Sequence, residues 1–473
     1  QGRRIWLFVI CHTAILLSML LTAAMVLNIL ACMANAVAVV MAAGLGTRMK
    51  SQRSKINHEI CGKPIIKYVI DALLPLRLKK IILVLGSHDG EEQKFIKGNV
   101  TYVILKEKKG TAHAVMQTAK LLKNYSGDVI VLSGDVPLIR TETLKNLLFA
   151  HQKSYAAVTI MTSIVPNPFG YGRIIRHQSQ VVKIVEELDA DDHTKKINEI
   201  NTGTYVFDSK KLFWAMSRIK ENPLKHEYYL TDLIDIFNHT GAKIQATSCE
   251  FEEILNVNKR YELAKAGAIM QQRIIHRLMD CGVSVLDLNS TYIEYDAKIG
   301  QDTIIYPFSL LYGNTKVGKN CIIGPFAQIK DSVVKDNCKI IHSTITDSVV
   351  CDNVSVGPYA HIRNRTVLKA NSAIGNFVET TRSEIGEDTK AYHLSYIGDT
   401  KTGKKVNFGA GVVTANWDGR KKNKTFIGDG SFIGSETTII APAKIKNKSI
   451  IKAGSVVTKN NKKKDKPQKK SND

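Results

Sequence analysis

Val317-Gly318-Lys319-Asn320-Cys321-Ile322-Ile323-Gly324 sets an aliphatic-glycine pair twice, six residues apart. An apolar-glycine pair recurs at Ile299-Gly300, Val356-Gly357, Ile374-Gly375, Ile385-Gly386, Ile397-Gly398, Phe408-Gly409, Ile427-Gly428 and Ile433-Gly434. This spacing is neither the alternation of a strand nor the three-to-four step of a helix. It predicts a parallel β-helix built from hexapeptide repeats. One apolar residue on each side of a triangular coil points inward, a small residue permits the corner, and stacked turns bury a continuous apolar column. A glycine-rich β-sandwich would not keep a six-residue phase. The coil is expected over residues 282–460. The segment Asn407 to Gly419 breaks the rhythm and reads as a loop leaving the coil, a usual place for function.

Upstream the texture is different. Val37–Met41, Lys80–Gly86 and Val129–Ser133 are strand-like, and Pro64–Leu74, Thr111–Lys123 and Thr141–His151 have helical spacing. Alternation of this kind predicts βαβ units and a mostly parallel α/β sheet over residues 36–258, with ligands at the carboxyl ends of its strands. Lys259 to Asp280 reads as a helix, placing a linker at 259–281.

The chain has 473 residues, 44% hydrophobic and 23% charged, the profile of a globular protein of two or three domains. A formal net charge of +23 attracts anions, phosphorylated small molecules among them. Its other reading is a lysine-rich, solvated surface. No aromatic-basic interleaving or reader motif points to nucleic acid. Eight cysteines, with no C-x-x-C pair and no metal spacing to histidine, read as free thiols in a reducing compartment. Arg3 and Arg4 precede an apolar run from Ile5 to about Ala34, and Ala34-Asn35-Ala36 resembles a signal-peptidase site. Residues 1–35 are therefore either a membrane anchor or an extension ahead of a start at Met33. Residues 461–473 read as a basic disordered tail.

After the first strand, Met41-Ala42-Ala43-Gly44-Leu45-Gly46-Thr47-Arg48-Met49 lets the backbone approach a phosphate closely, with Arg48 and Lys55 adding positive charge. It is neither a Walker A loop nor a full dinucleotide fingerprint. Further landmarks follow in order: Gly110-Thr111, Ser133-Gly134-Asp135, Gly170-Tyr171-Gly172-Arg173, Val185-Glu186-Glu187, Glu199-Ile200-Asn201-Thr202-Gly203, Glu227 to Asp232, and Val257-Asn258-Lys259-Arg260.

These motifs resemble the sugar nucleotidyltransferases. From about Ala36 to Asn460 the chain is similar to the bacterial bifunctional N-acetylglucosamine-1-phosphate uridylyltransferase / glucosamine-1-phosphate N-acetyltransferase family. The resemblance implies a Rossmann-like nucleotidyltransferase domain followed by a left-handed parallel β-helix. It implies a cytoplasmic enzyme that acetylates glucosamine 1-phosphate from acetyl-CoA. The product, N-acetylglucosamine 1-phosphate, then receives uridylyl from UTP, giving UDP-N-acetylglucosamine for peptidoglycan and lipopolysaccharide. Asp135 and Asn258 would hold Mg²⁺. Met41, Ala42, Ala43, Gly44, Gly110, Thr111, Ser133 and Gly134 would line the nucleotide site, with Arg48 and Lys55 stabilising the leaving pyrophosphate. Gly172, Glu186 and Asn201 would hold the amino sugar.

In the coil, His393 would be the general base of acetyl transfer, oriented by Glu379. Arg363, Thr381, Tyr396 and Asn407 would form the sugar-phosphate pocket, and Ala410, Asn416, Trp417, Ser435 and Ala453 the acetyl-CoA side. The family associates as homotrimers, with acetyl sites between neighbouring coils. Departures are few but placed at sites. No Gln stands near Leu105-Lys106, Ala112 and Ser133 replace Gly and Tyr, Ser54 replaces Pro, and Trp417 replaces Tyr. Thr381 occupies the position of a phosphate-binding Lys, with Arg382 beside it, and the family's C-terminal Arg has no counterpart clearer than Lys469 or Lys470. A monofunctional sugar-1-phosphate nucleotidyltransferase with a structural coil is the alternative reading. A non-enzymatic, membrane-attached anion binder is a third, and it leaves Asp135, Asn258 and the Gly44 loop unexplained.

Overall fold

A computed structural model describes residues 35–44, 46–86, 96, 98–223 and 226–459. The apolar run ending at Ala34 and the lysine tail with Lys469 and Lys470 lie outside the described residues. The chain forms two compact units that divide between Gly267 and Ala268.

The first unit is an α/β sandwich. Its strands are β1 (Ala36–Ala42), β2 (Lys80–Leu85), β3 (Val100–Ile104), β4 (Asp128–Ser133), β5 (Val158–Ile164), β6 (Arg173–His177), β7 (Gln180–Val185), β8 (Glu199–Asp208) and β9 (Ile244–Ser248). Its helices are α1 (Ile65–Leu73), α2 (Thr111–Met116), α3 (Thr141–Ser154), α4 (Ser209–Met216) and α5 (Asp232–His239). The sheet order is β9-β5-β8-β4-β1-β2-β3, with the β6–β7 hairpin attached to β8. β1 runs parallel to both β2 and β4, whereas β8 is antiparallel to β4 and β5. Because successive strand residues face opposite ways, the continuous apolar run of β1 feeds two cores. Ala36, Ala38 and Val40 pack with Ile66, Val69 and Leu73 of α1 and Leu144 and Leu148 of α3. Val37 and Val39 pack with Val115 of α2, Leu212 of α4 and Phe237 of α5.

The helix expected at Thr111–Lys123 stops at Met116. Beyond it the chain continues in turns, with Thr118 N–H bonded to Val115 O (2.9 Å) and Ala119 N–H to Met116 O (3.0 Å). Thr118 is fully buried, and its hydroxyl also donates to Val115 O (2.7 Å). That back-bond competes for a helix carbonyl and ends the regular ladder.

α6 (Arg260–Asp280) carries the chain across the division. The second unit is a left-handed β-helix whose three faces are parallel sheets of 10, 10 and 9 short strands. Each turn pairs in register with the next, Ile305 with Ile323, Ile323 with Ile340 and Ile340 with Val356. One inward column is Ile305, Ile323, Ile340, Val356, Ile374, Ala391, Phe408 and Ile433, all buried.

The corner chemistry differs from the sequence expectation. Left-handed backbone falls on Asn337 (φ 59), Asn353 (φ 58), Asn371 (φ 59) and Asp388 (φ 57), residue types that tolerate it. Gly386, two residues before Asp388, answers a different need, the close approach of the next turn. A Cβ on Gly386 would lie 1.9 Å from Gly403 O.

The break after Asn407 is also smaller than its sequence suggests. Asn407–Phe408 and Val413–Ala415 stay in the sheets, pairing with Phe432–Ile433 and Thr438–Ile440. The excursion is confined to the chain between Ala415 and Thr425. There a Trp417–Lys422 bridge forms a small hairpin, closed by Asn423 N–H to Asn416 O (2.7 Å).

Candidate functional site

β1 and β4 are adjacent and in register, Met41 opposite Ser133, so the loops leaving their carboxyl ends meet. The β4 loop turns tightly. A Cβ on Gly134 would sit 2.9 Å from the Ala42 Cβ, and Gly134 N–H bonds to Met41 O (2.8 Å). Asp135 is thereby delivered beside the glycine loop, where it is buried. Its carboxylate accepts from Lys55 Nζ (2.5 Å), Ser133 Oγ (2.6 Å) and Asn256 Nδ2 (3.1 Å). The segment before α6 is held alongside by Val257 N–H to Asp135 O (2.9 Å). Its Asn258 Oδ1 accepts from Lys55 Nζ (2.9 Å) and Arg48 Nη2 (3.0 Å). Glu262 fixes this segment by accepting the N–H groups of Asn258 (2.6 Å) and Lys259 (3.0 Å).

The oxygens of Asp135 and Asn258 thus converge on one cationic point, filled by the Lys55 ammonium. Hard oxygen donors that already enclose a positive charge fit a divalent cation bound jointly with phosphate oxygens and water. Among the described residues no group of three or more His, Cys, Asp or Glu could hold a metal ion.

Two cavities flank this point and share Met41, Arg48, Thr111 and Ser133. One, of about 520 Å³, is lined by Met41, Ala42, Ala43, Gly44, Arg48, Lys55, Gly110, Thr111, Ser133 and Asp135. Leu105, Lys108 and Tyr229 complete it on the side where the family's Gln would stand. Gly110 has φ 93, and a Cβ there would meet Tyr228 O at 2.5 Å, so the loop at Gly110 is pinned against the Glu227–Tyr229 segment. The other cavity, of about 500 Å³, is lined by Gly172, Glu186, Asn201, Tyr205, Thr231 and Asn258. Glu186 accepts from Thr231 Oγ1 (3.1 Å). Asn201 donates through Nδ2 to the buried Tyr205 hydroxyl (2.7 Å) and accepts Gly203 N–H through Oδ1 (3.2 Å), so its amide orientation is set. Burial pushes the Tyr205 hydroxyl well above its usual pKa, keeping it neutral.

In the coil, His393 ends the strand Lys390–His393 and is exposed. Glu379 lies on the next face, in the strand Glu379–Thr381, and accepts from Arg363 through both Nε (2.7 Å) and Nη2. Both of these bonds end on Oε1 of the Glu379 carboxylate. Thr381 is buried, its hydroxyl accepting from Asn364 Nδ2 (3.1 Å) and Arg382 Nη1 (3.2 Å). Arg382 does not stand in as a free phosphate grip, because Nε and Nη2 both donate to Asp399 (2.8 Å each). That guanidinium holds the Asp399 carboxyl below the usual carboxylate range. Asp399 also accepts from Asn416 Nδ2 (2.5 Å), which in turn reaches the Tyr396 hydroxyl (3.4 Å). Asn407 pairs with Phe432 on the face that carries His393. Ala410 O accepts Glu436 N–H (2.7 Å), and Ser435 O accepts Gly454 N–H (2.8 Å), which places Ala410, Ser435 and Ala453 at stacked corners. Trp417 is exposed on the hairpin, and Asp418 secures that hairpin by accepting the N–H groups of Arg420 (2.9 Å) and Lys421 (2.8 Å) and Nδ2 of Asn423 (2.7 Å).

Asn256, Tyr205, Glu262 and Asp399 are site-bordering residues that the sequence reading missed. Asn256 was within reach, lying two residues before Asn258. The others are brought in by tertiary structure alone.

Comparison with known proteins agrees with this division. The family model described as Nucleotidyl transferase matches residues 37–250, and that described as GMPPB C-terminal domain matches residues 288–385. A Clostridium kluyveri protein named bifunctional protein GlmU is 45% identical over 423 residues, covering 89% of this chain and 93% of its own. Proteins of the same name from Geobacillus sp. (44% identical, 89% and 92% covered) and Listeria monocytogenes (42% identical, 90% and 94% covered) are similarly related.

Proposed function

This chain belongs to the GlmU family of bifunctional proteins, and on that premise we propose that it makes UDP-N-acetylglucosamine by two transfers, one in each unit. The observation that carries the reading is the convergence of Asp135, Asn258, Lys55 and Arg48 where two cavities meet. UTP fits the cavity at the glycine loop, and N-acetylglucosamine 1-phosphate the one at Glu186 and Asn201. A phosphate oxygen of the sugar phosphate attacks the α-phosphorus of UTP. The bond to the β-phosphate oxygen breaks, and pyrophosphate leaves. Asp135 and Asn258 are the residues that would hold Mg²⁺, which when bound neutralises phosphate charge. Lys55 and Arg48 place fixed cations at the same point, for the charge that builds on the leaving group. Gly172, Glu186 and Asn201 position the sugar; the fixed Asn201 amide supports hydrogen bonding there.

In the coil, His393 takes a proton from the amine of glucosamine 1-phosphate as its nitrogen attacks the thioester carbonyl of acetyl-CoA. The carbon–sulfur bond breaks and the CoA thiol leaves. Arg363, Tyr396 and Asn407 serve the sugar phosphate, with Thr381 limited to packing. Ala410, Asn416, Trp417, Ser435 and Ala453 serve acetyl-CoA. Acetyl sites lie between neighbouring coils of a homotrimer. A largely exposed aromatic ladder supports association: Phe308, Phe326, His342, Tyr359 and Phe377 follow one another at 4.9, 4.6, 5.3 and 5.2 Å between successive ring centroids, the end pairs stacked and the His342 contacts tilted. A ridge of this kind is suited to be covered by another protein surface.

Free cysteines are consistent with a cytoplasmic enzyme. Among the described residues no helix is long and apolar enough to cross a membrane. The purely structural role for the coil is not favoured, since relatives matched over both units are named bifunctional. The test is His393→Ala. Thiol release from acetyl-CoA should fall at least 100-fold, with pyrophosphate release retained. Undiminished thiol release would remove His393 from the chemistry.

A further inference from the structure

Asp399 joins three successive turns of the coil. It occupies the corner after the strand Tyr396–Gly398, with left-handed backbone (φ 49). Arg382, one turn back, grips it with two bonds of 2.8 Å, one to each carboxylate oxygen. Asn416, one turn forward, donates to its Oδ2 at 2.5 Å. The same amide nitrogen lies 3.4 Å from the Tyr396 hydroxyl. Asn416 is 6% exposed, so its amide is packed on most sides.

These contacts decide which end of the amide faces which way. A carboxylate accepts only, so it binds the NH₂ end and rejects the carbonyl end. The two hydrogens of Nδ2 are directed to Asp399 and Tyr396, and Oδ1 becomes the end available to a ligand. An acceptor suits the acyl donor, whose pantetheine arm carries amide N–H groups. The bidentate Arg382 grip keeps the carboxylate ionised and in one orientation.

We propose that Asp399 is a positioning residue for acetyl transfer, fixing the Asn416 amide so that its carbonyl oxygen accepts an amide N–H of acetyl-CoA. This rests on the reading of Asn416 as part of the acetyl-CoA side. Arg382 accordingly acts through Asp399, and the charge that a lysine at Thr381 would have offered the sugar phosphate is not replaced by it.

The test uses the full chain and steady-state thiol release, with each substrate varied in turn. Asp399→Asn should raise KM for acetyl-CoA about tenfold, equivalent to about 1.4 kcal/mol. KM for glucosamine 1-phosphate should move less than about twofold, and pyrophosphate release by the first unit should be unchanged. Because Asp399 acts through Asn416, adding Asp399→Asn to Asn416→Ala should raise KM no further. An unchanged acetyl-CoA KM in Asp399→Asn, or multiplying effects in the double variant, overturns the proposal. If Asp399→Asn does not fold, Arg382→Lys decides: a raised acetyl-CoA KM is expected, and an unchanged one overturns it. A wild-type chain that releases no thiol would instead bring down the acetyltransferase reading beneath it.

Discussion

Replacing Asp135 by Asn changes one atom and removes one charge, at the point where the proposed uridylyl site is built. The Lys55–Asp135 pair has side chains only 11% and 9% exposed. Taking one partner from a buried pair costs about 3–5 kcal/mol, because the remaining charge stays desolvated. Here Asn258 Oδ1 still accepts from Lys55 at 2.9 Å, so the loss should fall toward about 2–3 kcal/mol. For a unit of this size that lowers the unfolding midpoint by roughly 5–10 °C. The effect on turnover should be larger. Loss of an anionic oxygen where phosphate charge develops forfeits about 4 kcal/mol of transition-state stabilisation, roughly a thousandfold in rate. The two effects separate in the double variant Lys55→Met/Asp135→Asn. With no unpaired ammonium it should regain most of the stability and stay inactive. Pyrophosphate release and thermal unfolding, measured on the same preparations, read both. An Asp135→Asn enzyme within tenfold of wild-type turnover would refute the reasoning. So would a double variant no more stable than the single.

Two other outcomes follow from the coil. Gly386→Ala must displace Gly403 O, 1.9 Å from the added Cβ, and should destabilise the second unit by about 1–3 kcal/mol; an unchanged unfolding midpoint would mean the turns are not stacked this closely. Asp418 is held at a pKa of about 2 by the backbone amide of Lys421, the Asn423 side chain and the Arg420 amide, in that order. A depressed carboxylate contributes order above its ordinary pKa of about 3.9 and loses it as pH falls toward the folded value. Trp417 fluorescence, isolated by difference from Trp417→Phe, should therefore hold steady from pH 8 to about 4 and change only as pH falls toward 2. A change centred near neutrality would assign the hairpin's order to another group.

The coil and the α/β sheet were legible in the sequence because their signals are periodic and local. Aliphatic residues at the inward positions recur in a phase set by the turn itself, and the β1 run is apolar throughout because both its faces are covered. The glycine loop and Asp135 were legible because each follows a strand whose carboxyl end opens on the site. Pairings between distant residues were not legible. Nothing in the string says that Lys55 lies between Asp135 and Asn258, or that Tyr205 fixes Asn201. That Arg363 donates to the Glu379 carboxylate was likewise not legible in the sequence. Thr381 and Arg382 show the same limit. Sequence offers an arginine beside a missing lysine, and the next turn decides what the arginine does by supplying Asp399.

The most direct measurement supplies the full chain with glucosamine 1-phosphate, acetyl-CoA, UTP and Mg²⁺, and follows free thiol and pyrophosphate separately. Thiol should appear first, pyrophosphate after a lag, and UDP-N-acetylglucosamine should accumulate with the pyrophosphate. Pyrophosphate formed only when N-acetylglucosamine 1-phosphate is added, with no thiol at any time, would contradict the two-site account.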